Sequence, residues 1–291
     1  MRSKTYINEI LACVLLILQT ACTREPVAPP DHPRLTPNVT MQDITFHSPS
    51  LERDTTYRLI IPKVISTSQK MPIVYLLHGG GGNFREWSND SDVGRFADQG
   101  FILVMPDGGD SSYYTNARVR PRDRFEDFIV KDLIVDAETR FPADPSRRAI
   151  VGNSMGGFGA IKLALKFPGL YQFVGALSPA IDVPSRPFSI KRIGQYRQHE
   201  AIFGAWGSVT RRENDPFVLA RNADTKKVPF MFITCGDQEG LLASNRQFAK
   251  LLAERYFHFE FHEEPGGHNW NQWNPLLSGI FSKMKNLNGE R

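Results

Sequence analysis

Three cysteines in 291 residues leave the chain too few thiols for a disulfide framework. Cys13 lies in an apolar run near the amino terminus, Cys22 follows that run, and Cys235 stands alone on a predicted strand. A membrane-spanning run is missing too: residues 10–18 are apolar, whereas a bilayer requires about 20 such residues. Charge of one sign never gathers into a patch. Lys and Arg total 35 against 31 Asp and Glu, and doublets such as Arg147-Arg148 and Arg211-Arg212 stand apart, which gives nucleic-acid binding no support. No internal repeat is visible, which argues against solenoids and propellers.

What is present begins with Arg2 and Lys4 ahead of the apolar run and Thr20-Ala21-Cys22 behind it, the layout of a signal peptide. Ala21-Cys22 resembles the lipobox of bacterial lipoproteins, although Gln19 stands where an apolar residue is usual. Residues 1–22 are therefore expected to be a lipoprotein-type signal peptide. Residues 23–38, rich in proline, read as a flexible tether, and residues 39–291 as one catalytic domain. The expected location is the periplasm or cell envelope, with lipid at Cys22 as the sole membrane contact, or else secretion. A Cys22 to Cys235 bridge is open only if Cys22 carries no lipid.

Within the domain, residues 44–47 and 57–62 read as early strands that can form an antiparallel edge. Residues 72–78 and 101–106 are near-continuous apolar runs, as in strands buried on both faces of a parallel sheet. Residues 125–141 carry Phe125, Phe128, Ile129, Leu133 and Ala137 at helical spacing. Strand and helix then alternate to residues 257–261, which indicates an α/β fold with a mostly parallel central sheet flanked by helices. Residues 182–224 interrupt that rhythm and are a candidate small cap-like insertion over the carboxyl edge of the sheet.

Gly152-Asn153-Ser154-Met155-Gly156 fits the G-x-S-x-G elbow, in which a sharp strand-to-helix turn exposes a nucleophilic serine. By itself the pattern arises by accident about one time in ten in a chain of this length; a buried strand before it and a helical stripe after it supply the required context. A serine hydroxyl is a poor nucleophile until an imidazole takes its proton and a carboxylate holds that imidazole. His268, in the loop Pro265-Gly266-Gly267-His268-Asn269-Trp270, is the candidate base. Asp237 and Glu239 both follow the strand ending at Cys235-Gly236, and either can serve as the acid. The backbone N–H groups of Gly80, in His78-Gly79-Gly80-Gly81-Gly82, and of Met155 are candidate oxyanion donors. No Gly-Lys-Ser/Thr follows those glycines, which excludes a phosphate-binding loop. His258, Glu260 and His262 share one side of a strand, where ligands at period two diverge, so no metal is expected.

With these motifs in place the chain resembles the esterase D-like branch of the α/β-hydrolases, which includes S-formylglutathione hydrolases, tributyrin, feruloyl and acetylxylan esterases, and mycolyltransferases. The resemblance rests on Leu76 to Asn83, Met105-Pro106-Asp107-Gly108-Gly109, Tyr114-Thr115-Asn116, Arg148 to Gly159, and the His268 loop. It implies an α/β-hydrolase fold, no cofactor, Ser154 as nucleophile and His268 as base. The family places an aspartate three residues after the strand-ending glycine; Glu239 stands there in this chain, which leaves Asp237 a competitor. The expected activity is serine carboxylesterase, on small-molecule or carbohydrate esters. Trp87, Tyr113, Tyr114, Trp270 and Trp273 either stack on sugar or aromatic acyl groups or simply pack. The rivals are acyl transfer of the mycolyltransferase type and a non-catalytic binding protein that keeps the fold.

Overall fold

The computed structural model describes residues 30–65, 70–187, 190 and 193–289. The expected signal peptide and Cys22 lie outside them. The chain divides into Met1–His32 and Pro33–Arg291, and every element named here belongs to the second unit. Among the described residues no helix is long and apolar enough to cross a membrane.

β1 (Val39–Ser48) and β2 (Arg53–Pro62) form an antiparallel pair at one edge, and β2 runs antiparallel to β4 (Ile102–Pro106). From there β3 (Met71–Leu77), β5 (Ala143–Asn153), β6 (Phe173–Leu177), β7 (Phe230–Gly236) and β8 (Phe259–Glu264) continue in parallel, giving the order β1-β2-β4-β3-β5-β6-β7-β8. Alternation across the pleat sorts the apolar runs onto two faces. Ile73, Tyr75 and Leu77 of β3 enter one core cluster, while Val74 and Leu76 enter the other.

The short helices α1 (Glu86–Asp90) and α2 (Gly94–Ala97) lie between β3 and β4. The helix anticipated at residues 125–141 is present but not uniform. α3 (Phe125–Asp127) widens into a π-helical turn, Phe128–Leu133, before α4 (Ile134–Arg140). The consecutive residues Phe128 and Ile129 are both fully buried there. After the elbow come α5 (Met155–Lys166) and, beyond β6, a 3₁₀ turn (Val183–Ser185), α6 (Ile193–Phe203), α7 (Val209–Glu213) and α8 (Pro216–Asn222). These elements make up the insertion at residues 182–224. It docks through an apolar cluster in which Val183, Ile202 and Phe203 meet Phe158 of α5 and Ala180. α9 (Leu242–Glu254) follows β7, and α10 (Trp270–Gly289) closes the chain.

Part of the segment read as a tether is instead laid on the domain. Arg34 N–H donates to Ser88 O at 2.8 Å, Lys63 N–H donates to Asn38 O at 2.8 Å, and the Asn38 amide donates to Asp98 at 3.2 Å. Prolines remove donors only at their own positions, so the intervening residues remain free to make these bonds.

Candidate active site

Ser154 follows the last residue of β5 and precedes the first of α5, with φ 52° and ψ −112°. That left-handed conformation strains a serine, and the backbone on both sides holds it. Ser154 N–H donates to Leu177 O at 2.8 Å, and its own carbonyl accepts from Phe158 and Ala180. The close approach of strand and helix explains two glycines of the motif. A Cβ at Gly152 would lie 2.2 Å from the Gly156 carbonyl carbon, and one at Gly156 would lie 2.0 Å from Leu77 O.

His268, 114 residues further along, returns its Nε2 to 2.8 Å from Ser154 Oγ, while its Nδ1 lies 2.6 Å from Glu239 Oε2. A carboxylate only accepts, so Nδ1 carries the proton and Nε2 is left to accept from the serine hydroxyl. Glu239 has a side chain only 1% exposed. Burial by itself would raise its carboxyl, but the bonds from His268, Ser178 and the Gly236 N–H together hold it below the usual glutamate range. Ser178 Oγ–H donates to Glu239 Oε1 at 2.5 Å and accepts from the Trp273 indole at 2.9 Å, and Gly236 N–H donates to the same Oε1 at 2.9 Å. Asp237 instead accepts the Gly266 N–H at 2.9 Å, bracing the loop that carries His268. The structure thus brings Ser154, His268 and Glu239 together and leaves Asp237 outside that chain of bonds.

The glycine strap beside the serine is held by side chains. His78 Nδ1–H donates to Gly79 O at 2.7 Å, and His78 Nε2 accepts the Gly108 N–H at 2.8 Å, which fixes the tautomer. In a trans peptide the carbonyl and the following N–H point oppositely, so drawing Gly79 O toward His78 turns the Gly80 N–H away from it. Glu86 Oε1 accepts both the Gly79 N–H at 3.2 Å and the Asn153 amide at 2.8 Å, tying the strap to the residue before Ser154. Gly81 N–H donates to Asp110 O, and the Tyr114 hydroxyl donates to His78 O. No described residue accepts the N–H of Gly80 or of Met155. Met155 also opens α5, where the helix dipole favours negative charge.

Sequence reasoning missed Glu86, Asn153 and Ser178. Asn153 lay inside the elbow motif, but Glu86 and Ser178 gave no signal because their partners are distant in sequence. Of the five aromatic residues weighed as sugar platforms, Trp87 and Tyr114 are fully buried and Trp273 is 4% exposed, so these three pack. His262 stacks on Phe232, with ring centroids 4.8 Å apart, and bonds to Glu260. Among the described residues no group of three or more His, Cys, Asp and Glu is placed to hold a metal ion.

The model of the family described as "Putative esterase" matches residues 48–284. The chain belongs to that family. This esterase is 25% identical over 263 residues to an acetyl esterase of Caldicellulosiruptor saccharolyticus, covering 85% of its own length and 98% of the relative. It is 29% identical over 261 residues to an esterase of Mycobacterium tuberculosis H37Rv, covering 78% of itself and 56% of that protein. Among solved structures, FphF, a fluorophosphonate-binding serine hydrolase of Staphylococcus aureus, superposes with a TM-score of 0.73 at 23% identity, over 84% of this chain and 98% of that one. A ferulic acid esterase gives a TM-score of 0.73 at 22% identity, over 86% and 99%. The fold is that of the α/β-hydrolases and the activity that of a serine carboxylesterase.

Proposed function

We propose that the esterase removes acyl groups from carbohydrate esters outside the cytoplasm, with Ser154 as nucleophile, His268 as general base and Glu239 as the acid that orients it. The observation that carries the catalytic assignment is the continuous chain Ser154 Oγ, His268, Glu239 at 2.8 and 2.6 Å. Ser154 Oγ attacks the ester carbonyl as its proton passes to His268 Nε2. The tetrahedral oxyanion is met by the Gly80 and Met155 N–H groups, each donor of this kind being worth about 2.7–4 kcal/mol. His268 then protonates the departing alcohol, and the acyl group stays on Ser154. Water, deprotonated by the same imidazole, releases the acid and restores the hydroxyl. The His268 side chain is 38% exposed, which leaves the base open to water.

Support for carbohydrate esters comes from the acetyl esterase and ferulic acid esterase relatives, and support for export from the amino-terminal pattern ending at Cys22. A fluorophosphonate probe on the folded protein tests the catalytic reading: the wild type should label and Ser154→Ala should not, and an unlabelled wild type overturns it. A panel of acetylated and feruloylated sugars against p-nitrophenyl esters tests the substrate class. Acyl products diverted onto an added sugar alcohol would mark a transferase instead. Metabolic labelling with palmitate, lost in Cys22→Ser, tests the lipid anchor.

A further inference from the structure

We propose that the trough between α8 and α9 is a glycan-binding groove, which holds a neutral oligosaccharide chain along α9 from Gly240, the neighbour of Glu239. The proposal deepens the reading of carbohydrate esters as substrates and rests on it for its purpose. The groove has a volume of about 750 Å³. One wall is a single face of α9, with Ala243, Gln247, Lys250 and Glu254 at spacings of four, three and four. At 1.5 Å per residue that wall is about 16 Å long, so the occupant is elongated. The groove begins at Gly240, the residue after Glu239, and is bounded on its other side by Phe217 and Arg221 of α8.

The chemistry of the lining selects the class of ligand. Arg186, Arg221 and Lys250 are balanced by Asp182, Asp215 and Glu254, so a polyanion such as nucleic acid gains no net attraction. Two of those charge pairs meet on the protein itself, Lys250 lying 3.8 Å from Glu254, so a neutral polar ligand leaves them intact. Arg186 donates to both oxygens of Asp182, at 3.2 and 2.6 Å, and the Gln247 amide offers both a donor and an acceptor. Sugar hydroxyls, each both donor and acceptor, suit such a surface. No lining residue lies on a strand, so a peptide finds no sheet edge to extend.

A second cavity of about 210 Å³ shares Ser185 and Asp215 with the groove and carries Trp206. This indole is 53% exposed. Arg211 lies against it: the guanidinium is 5.7 Å from the ring centroid and is itself held by bonds to the carbonyls of Gly204 and Pro184. A half-exposed indole among polar groups suits the C–H face of a sugar ring.

The test is titration of acyl-free hexasaccharides, β-1,4-linked xylose, β-1,4-linked glucose and α-1,4-linked galacturonic acid in turn, into the full-length Ser154→Ala protein by calorimetry. A neutral hexamer should bind, and Trp206→Ala should weaken it by about tenfold. Ala243→Arg and Gln247→Trp, which fill the groove from exposed helix positions, should abolish binding. With Ser154 restored, the same variants should cleave p-nitrophenyl acetate at the wild-type rate. Failure of every hexamer to bind at millimolar concentration, equal binding by the filled variants, or binding of galacturonate alone overturns the groove. Hexamer binding by a protein that neither labels with fluorophosphonate nor cleaves any ester would sink the catalytic reading and leave the groove standing.

Discussion

At the scale of single residues, Glu239 and Asp237 sit two positions apart with different tasks. Glu239 holds His268 in the tautomer that leaves Nε2 free for Ser154, whereas Asp237 holds only the Gly266 backbone. Glu239→Gln should therefore lower kcat by about 10²–10⁴-fold, because an amide can present a donor to Nδ1 and favour the wrong tautomer. Asp237→Asn should leave kcat almost unchanged. Steady-state kinetics on p-nitrophenyl acetate compare them, and the reverse ordering would reassign the acid. Glu86 acts through the strap it braces. Glu86→Ala frees the Gly79 N–H and the Asn153 amide, so it should cut kcat by about ten- to a hundredfold, short of losing a whole oxyanion donor. KM should stay put, since Glu86 has no part in the ground-state complex; a change confined to KM would refute that role.

Between elements, the nucleophile's helix is anchored by ion pairs rather than by apolar packing alone. Lys162 of α5 is fully buried, and its ammonium donates to Tyr114 O, Thr115 Oγ1 and Glu126 of α3, while Lys166 reaches the other Glu126 oxygen. Burial would raise the Glu126 carboxyl, but the two lysines outweigh it and hold the group below the usual glutamate value. A carboxyl lowered by folding stabilises the native state fully above its unfolded value of about 4.3, and that contribution disappears as pH falls through the lowered folded value. Glu126→Gln should accordingly be less stable than wild type at pH 7, by about 3 kcal/mol, because it leaves Lys162 buried without its counter-charge. The difference should narrow below about pH 4.3. Urea unfolding of both proteins across pH 3 to 7 measures it; a constant difference would show that Glu126 is not ionised in the folded protein.

At the scale of the whole molecule, the sheet decides what solvent reaches. Cys235, on β7 between β6 and β8, is fully buried, and burial, followed by Glu239 and Glu263, pushes its thiol up to about 12. Alkylation requires the thiolate and access. Iodoacetamide at pH 8 should therefore leave Cys235 unmodified in the native protein and label it fully in urea, as read by peptide mass spectrometry. Labelling of the native protein at an appreciable rate would mean that the parallel half of the sheet opens locally. The closing helix α10 belongs to the same scale. Asn271, Asn274, Pro275, Ser278 and Gly279 are weak helix formers, so local propensity predicts no helix over this region. Trp273, Leu277, Ile280, Phe281 and Met284 nevertheless bury a stripe against the sheet, and that tertiary gain overrides local propensity.

The sequence by itself determined the alternation of strand and helix, the elbow around Ser154, the histidine loop and the insertion, because each rests on local rules: periodicity, steric limits on a tight turn, and glycine where backbones must meet. Those rules act over a few residues and are visible in any short window. That His268 bonds to Glu239 and not to Asp237, that Glu86 and Ser178 bond to the strap and to Glu239, that Trp87, Tyr114 and Trp273 pack inside, and that a groove runs beside α9 were decided only by tertiary structure. Each depends on contacts between separate elements, some as far apart in sequence as Ser178 and Glu239, Glu86 and Asn153, or Ser154 and His268, and local sequence carries no record of which group on another element a side chain will meet.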